Sequence, residues 1–291
     1  MKKLLAGLLG VALAFTLVVG FAPVEKAEAA GEITLGYVNW ACAEGKTYIA
    51  KAVLEQMGFE VDTMMADVAP IYSGVTRGDV DAFLASWLPV THKSYVEQYQ
   101  NDMVKVGVSY TGARIGLVVP EYMDIDCITE LNDYADEFGN EIVGIDAGAG
   151  IMMATEDAIP AYDLDFNLVE GSDAAMTASI LRAYRNEEPI VVTGWTPHWK
   201  FARWDLKFLD DPQGIYGDVE GVYAFARQDL GADYPEVVNF LHDFFVTDEQ
   251  LGQVMEWIAE DDMDPAAAGQ RWVEENQDVV EDWLNAVTSP F

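Results

Sequence analysis

Cysteine, histidine and positive charge are all scarce in this 291-residue chain, and each shortage removes a class of function. The three histidines, His92, His198 and His242, are scattered without metal-ligand spacing, so no metal site is expected. Sixteen lysines and arginines face 50 acidic residues, a formal charge of −34. Nucleic acid and anionic membrane surfaces are therefore excluded as partners. No Walker lysine follows the glycine turn at 148–150, and the aligned dinucleotide pattern is absent, so no cofactor is expected. Serines and the two cysteines, Cys42 and Cys127, lack a nucleophile-elbow or thiol-protease context. The many acidic pairs read as solvated faces rather than acid/base couples. An enzyme reading has no constellation behind it.

What is present begins with an export signature. Lys2 and Lys3 precede an apolar run from Leu4 to Phe21, and Ala27-Glu28-Ala29 offers a small-residue cleavage site. This predicts a signal peptide over residues 1–29; the run could also span a bilayer as an uncleaved anchor. No cysteine stands at the cleavage point, as a lipid-anchored lipoprotein requires, so the mature chain is expected free in a periplasm. Removing residues 1–29 leaves 13 basic and 48 acidic residues, or −35. Hydrophobic content of 51% excludes general disorder despite that charge. So acidic a surface fits a halophilic habitat, where salt screens self-repulsion, or simple solubility.

The mature chain alternates strand and helix signals. Glu32–Asn39, Phe59–Met65 and Val80–Ser86 read as strands, with helices over Gly45–Met57 and Val68–Arg77 between them. That rhythm predicts an α/β fold with a parallel sheet covered on both sides. Thr91 is placed to cap a helix to about Tyr99, and Val104–Tyr110 and Arg114–Pro120 read as two further strands. Pro120 marks a crossing point. A second β/α unit follows: a helix over Ile128–Phe138, a strand over Glu141–Asp146, a helix over Met152–Tyr162, a strand over Phe166–Glu170, a helix over Asp173–Tyr184 and a strand over Ile190–Thr193. Leu206–Leu209 and Gly221–Arg227 are short strands, and the chain ends in helices over Pro235–Phe245, Asp248–Glu260 and Pro265–Ala286. The recurrence predicts two lobes, residues 30–118 with 217–291 and residues 119–216, joined by a two-segment hinge with a ligand cleft between them. Cys42 and Cys127 then fall in different lobes, and two free thiols are expected, because a bridge would staple a cleft that has to open.

Three tryptophans stand at predicted strand ends: Trp40, Trp87 and Trp195, the last in Thr193-Gly-Trp-Thr-Pro-His-Trp199 beside the breakers Gly194 and Pro197. One such indole could simply be core; three at equivalent positions suggest a cleft lined for a cation. A quaternary ammonium has no N–H to donate, but indole faces attract it at ~0.5–2 kcal/mol each. The turn Gly148-Ala-Gly-Ile151 leaves backbone amides free at a helix start, which suits a carboxylate or phosphate, although a tight turn needs glycines for steric reasons alone. His92, five residues after Trp87, could donate to that carboxylate or act only as a surface or capping residue. His198 packs the Trp195 turn. Trp257, Trp272 and Trp283 belong to helix cores, with 272 and 283 sharing one face, while Trp199 and Trp204 carry no assignment.

Five stretches together carry a family resemblance: GYVNW (36–40), DVAPIYSGVTRGDVDAFLASWLPVTHK (67–93), GLVVPEYM (116–123), IVGIDAGAGIM (142–152) and IVVTGWTPHW (190–199). They resemble the glycine betaine-binding proteins of osmoprotectant ABC importers, over nearly the whole mature chain. The resemblance implies a two-lobed, type II-like periplasmic binding protein that hands its ligand to an ABC permease with its ATPase and catalyses nothing. It implies a tryptophan prism of Trp40, Trp87 and Trp195 around the trimethylammonium group. The carboxylate would be held by the amides of Gly150 and Ile151, with His92 assisting. Ala41-Cys-Ala-Glu44 departs from the more polar, acidic stretch expected there. A monomer is expected. Choline or proline betaine is the alternative ligand within the class; a secreted enzyme or an aromatic-platform carbohydrate binder is the alternative outside it.

Overall fold

The computed structural model describes residues 29–259 and 261–287, so the expected signal peptide lies outside the described residues but for Ala29. β1 (Glu32–Tyr37), α1 (Ala41–Gln56), β2 (Glu60–Met65), α2 (Val68–Arg77) and β3 (Ala82–Leu88) build the expected parallel trio, with β1 between β2 and β3. α2 shows why the pattern is legible. Val68, Ile71, Tyr72 and Val75 recur at helical spacing and are all buried, and Gly78 ends the helix in the left-handed region at φ 78°. β3 is buried along almost its whole length, as a strand covered on both faces must be.

α3 (Lys93–Tyr99) leads into β4 (Met103–Pro120), one strand of 18 residues where the sequence predicts two. Gly112 turns the backbone at φ 90° and the pairing slips three times, so β4 bends without leaving the ladder. β4 pairs antiparallel with β9 (Glu220–Arg227) as far as Ala113 and with β7 (Val192–Thr196) from Arg114 onward. The change of partner thus lies inside the strand, ahead of Pro120.

Beyond β4 the region expected as a helix from Ile128 is a 3₁₀ segment, Ile128–Tyr134. β5 (Glu141–Val143), α4 (Gly150–Ala161), β6 (Asn167–Val169) and α5 (Asp173–Asn186) then place β5 between β6 and β7, all parallel. Ser172 caps α5 by accepting from the Ala175 amide at 3.2 Å. α6 (Lys200–Arg203) and β8 (Leu206–Phe208) return the chain to β4. The sheet order is β2-β1-β3-β9-β4-β7-β5-β6, with β8 on β4. Helices α7 (Leu230–Asp233), α8 (Pro235–Asp243), α9 (Asp248–Ala259), α10 (Pro265–Glu275) and α11 (Gln277–Val287) follow, with α9 and α10 packed on α1. The last two were expected as one helix. They part at Asn276, whose side-chain amide donates to the Trp272 carbonyl at 2.8 Å. Trp272 and Trp283 therefore stack across the break, centroids 5.7 Å apart, instead of sharing one helix face.

Candidate functional site

Trp40 is the N-cap of α1 and lies just past the carboxyl end of β1. Its indole N–H donates to Asp146 Oδ1 at 2.8 Å, and the next amide, Ala41, donates to Asp173 Oδ2 at 3.1 Å. Both acceptors belong to the second β/α unit, so the start of α1 is bonded to the β5–α4 turn and the start of α5. Trp87 is the penultimate residue of β3, within the strand rather than after it. A cis Leu88-Pro89 peptide follows. The turn is held by buried Glu220 on β9, which accepts from the amides of Val90 (2.8 Å) and Thr91 (3.1 Å) and from the Thr91 hydroxyl. Thr91 is thus not the cap expected of it: its hydroxyl is committed to Glu220, and His92 occupies the N-cap of α3.

Trp195 lies inside β7, which continues to Thr196 before a cis Thr196-Pro197 peptide. Gly194 was expected to break the strand. It pairs with Gly116 in register, and a Cβ there would come within 2.4 Å of Val118 Cγ2, so this glycine serves close strand packing. Gly150 and Ile151 open α4, where the first amides have no carbonyl four residues back to bond. Gly150 also tolerates no side chain, because a Cβ would stand 2.0 Å from the Thr91 carbonyl oxygen.

These elements converge. Trp40, Trp87, Trp195, Gly150 and Ile151 line one small cavity, together with Thr91, Ile115 and Ile145. Trp40 and Trp195 stand 6.5 Å apart between ring centroids, inclined by 55°. His92 does not line the cavity. It is fully buried behind it, 5.8 Å from Trp40, and its Nδ1 accepts from the Trp87 amide at 3.1 Å. That bond leaves the proton on Nε2, which has no partner. Ile115 was missed because only the β4–β7 register sets it opposite Trp195, whereas Ile145, at the end of a predicted strand, could have been found from its place beside the glycine turn. Trp199 and Trp204 pack on each other at 5.5 Å, away from the cavity. Cys42 and Cys127 are both free thiols.

A buried charged layer lies under the cage. Burial pushes His92 down to about 3, helped by Lys46, and pushes His198 down to about 4, helped by Lys200 and opposed by Asp173. Both rings are therefore neutral at pH 7. His198 accepts from the Lys200 amide at Nδ1 and donates from Nε2 to Asp173 at 2.9 Å. Burial works to raise the Asp173 carboxyl, but His198, Lys200 and the Ala41 amide outweigh it and hold it below the usual carboxylate range. Lys46 is fully buried too, donating to the Leu84 carbonyl and the Ser109 hydroxyl. Among the described residues, no cluster of His, Cys, Asp and Glu is arranged to hold a metal, and no helix is long and apolar enough to cross a membrane.

A family model described as the substrate binding domain of the ABC-type glycine betaine transport system matches residues 31–275. The chain belongs to this family. Among curated relatives of this glycine betaine transport family, it is 44% identical over 158 residues to the glycine betaine/carnitine transport binding protein GbuC of Listeria monocytogenes serotype 1/2a (strain 10403S). That match takes in 53% of this chain and 52% of GbuC, so it spans about half of the relative's length. Among solved structures, lactococcal OpuAC in its closed-liganded conformation with glycine betaine superposes with a TM-score of 0.83 at 33% identity, covering 87% of this chain and 99% of that one. An ABC-transporter choline-binding protein in complex with choline gives 0.82 at 26%, covering 87% and 91%. The fold is the mixed α/β fold of the two-lobed periplasmic binding proteins, as the sequence predicts.

Proposed function

We propose that this protein binds glycine betaine, or a closely related methylated zwitterion, in the tryptophan-lined cavity and delivers it to an ABC permease with its ATPase. The observation that carries the reading is the meeting of three indoles and the first two amides of α4 on one small cavity. The trimethylammonium group sits against Trp40, Trp87 and Trp195, each face contributing ~0.5–2 kcal/mol and more once water is excluded. The carboxylate accepts from the amides of Gly150 and Ile151, at the positive end of α4. His92 supports the site from behind through the Trp87 amide. No reaction is catalysed, and incubation should leave betaine chemically unchanged.

The lobes are taken as residues 30–118 with 217–291 and residues 119–216. The handover of β4 from β9 to β7 supports a crossing strand near that boundary, and β9 supplies the return. Ligand capture then draws the α1 start and the β5–α4 turn together, and Trp40 to Asp146 is one of the bonds that hold them. The protein acts as an exported monomer, its first 29 residues removed as a signal peptide. Family membership supports a place outside the cytoplasmic membrane.

Choline is the second reading, favoured by the likeness to a choline-bound relative. It has no carboxylate to use the α4 amides. Isothermal titration of glycine betaine into wild type and Trp195→Ala tests the proposal. Clear binding is expected in the first and a loss of roughly 1–3 kcal/mol in the second. Absence of betaine binding to the wild type, or a choline affinity above that for betaine, would overturn it.

A further inference from the structure

Directly behind the cage stands a lysine that the proposed binding role leaves unused. Lys200 begins α6, three residues after the cis-bonded Pro197 and five after Trp195. It is fully buried, its Nζ has no hydrogen-bond partner, and it lies 3.8 Å from the centroid of the Trp195 ring. Trp195 lines the cavity and Lys200 does not. The ammonium therefore covers the face of the indole turned away from the ligand space. Lysines are seldom fully buried, and one whose head group makes no hydrogen bond is costly to keep.

We infer that Lys200, stacked on the rear face of Trp195, makes the cage discriminate by net charge, admitting zwitterions and disfavouring quaternary ammonium ligands that carry no carboxylate. This rests on the betaine-type reading of the cavity and names what selects within that ligand class.

An indole face attracts a cation through its quadrupole, and a second cation on the opposite face meets the first one's field across a thin apolar plate. The medium between them is protein, so the repulsion is little screened. A net-cationic ligand carries no anionic group of its own to offset that repulsion. In a zwitterion, the carboxylate near the α4 amides is drawn by the same charge, and the two effects offset each other. The groups facing Lys200 are Asp173 on α5, His198 in the turn before α6 and Cys42 on α1. Burial pulls the Lys200 ammonium down to about 8 while Asp173 resists, so the charged form prevails at neutral pH. His198 is neutral and the Cys42 thiol is pushed up by burial, so neither cancels the charge. Asp173 balances Lys200 in sum, but the ammonium, not the carboxylate, is the group laid on the ring.

The test is a paired calorimetric titration of glycine betaine and choline into wild type, Lys200→Met and Lys200→Arg at pH 7. In Lys200→Met the ratio of choline to betaine dissociation constants should fall by roughly tenfold, and Lys200→Arg should keep the wild-type ratio. A folded Lys200→Met with an unchanged ratio overturns the assignment, as does an equal fall in Lys200→Arg, which would point to packing rather than charge. Should Lys200→Met fail to give a cooperative melt, Lys200→Gln takes its place with the same two outcomes. A wild type that binds neither ligand overturns the betaine reading itself, a result distinct from normal binding with an unmoved ratio.

Discussion

Glu220 sets one wall of the cavity without touching it. Its carboxylate, buried at the first position of β9, receives both amides of Val90 and Thr91 and the Thr91 hydroxyl, so the turn after Trp87 is fixed from 129 and 130 residues away. Replacing it strands the two buried Thr91 donors and the half-buried Val90 amide, and buried unpaired donors cost ~1–3 kcal/mol apiece before relaxation. Glu220→Ala should therefore lose roughly 2–4 kcal/mol in urea unfolding, and betaine affinity should fall with it, because Thr91 and Trp87 both line the site. A variant with wild-type stability would show that the turn holds its shape unaided. No local pattern marks this residue: one glutamate among 50 acidic side chains carries no sign of its partner until the β3–β9 pairing brings the two together.

At the scale of elements, α10 lies across α1 at backbone distance. A Cβ on Gly269 would stand 2.2 Å from the Tyr48 carbonyl oxygen and 2.5 Å from its carbon, both main-chain atoms that cannot swing aside. Gly269→Ala should push the helices apart and lower stability by ~1–3 kcal/mol, read as a fall in melting temperature. An unchanged melt would mean that α10 shifts freely. The same region shows where sequence reasoning succeeds and stops. α2 is legible to the residue because its apolar period and its terminal glycine agree. The break at Asn276 is not, since periodicity runs on through it and only a side-chain bond to Trp272 makes the end. β4 reads as two strands because Gly112 is a turn signal locally, while the ladder on both sides carries the strand through. The aromatic site was legible because its indoles stand at or near the carboxyl ends of β1, β3 and β7; β1 and β3 are parallel and bring two of those ends together. By contrast, β7 runs the opposite way, three antiparallel pairings on, and its meeting with them could not be read from strand ends alone. Gly194 was misread for the opposite reason: a glycine that breaks a strand and one that lets strands pack closely look alike in sequence.

For the molecule as a whole, the two fully buried histidines couple stability to pH in a definite direction. His92 titrates near 3 and His198 near 4 in the folded protein, against an ordinary value of about 6.5 in the unfolded chain. Between these values the unfolded state binds protons that the folded state does not, so stability must fall as pH falls. The contribution is complete above about 6.5 and drains away on acidification toward 3 to 4. By pH 5 each ring should have cost roughly 2 kcal/mol relative to pH 7. Glu44 and Asp146, whose carboxyls burial raises, act in the opposite sense and moderate the slope. Asp173 adds to the loss, but only below the normal aspartate range, because its folded value is depressed. Urea unfolding at pH 7, 6 and 5, at fixed and high ionic strength to screen the acidic surface, should show a steady loss. His198→Asn should flatten part of it. A wild-type profile that stays level to pH 5 would mean that at least one of these imidazoles is reached by water.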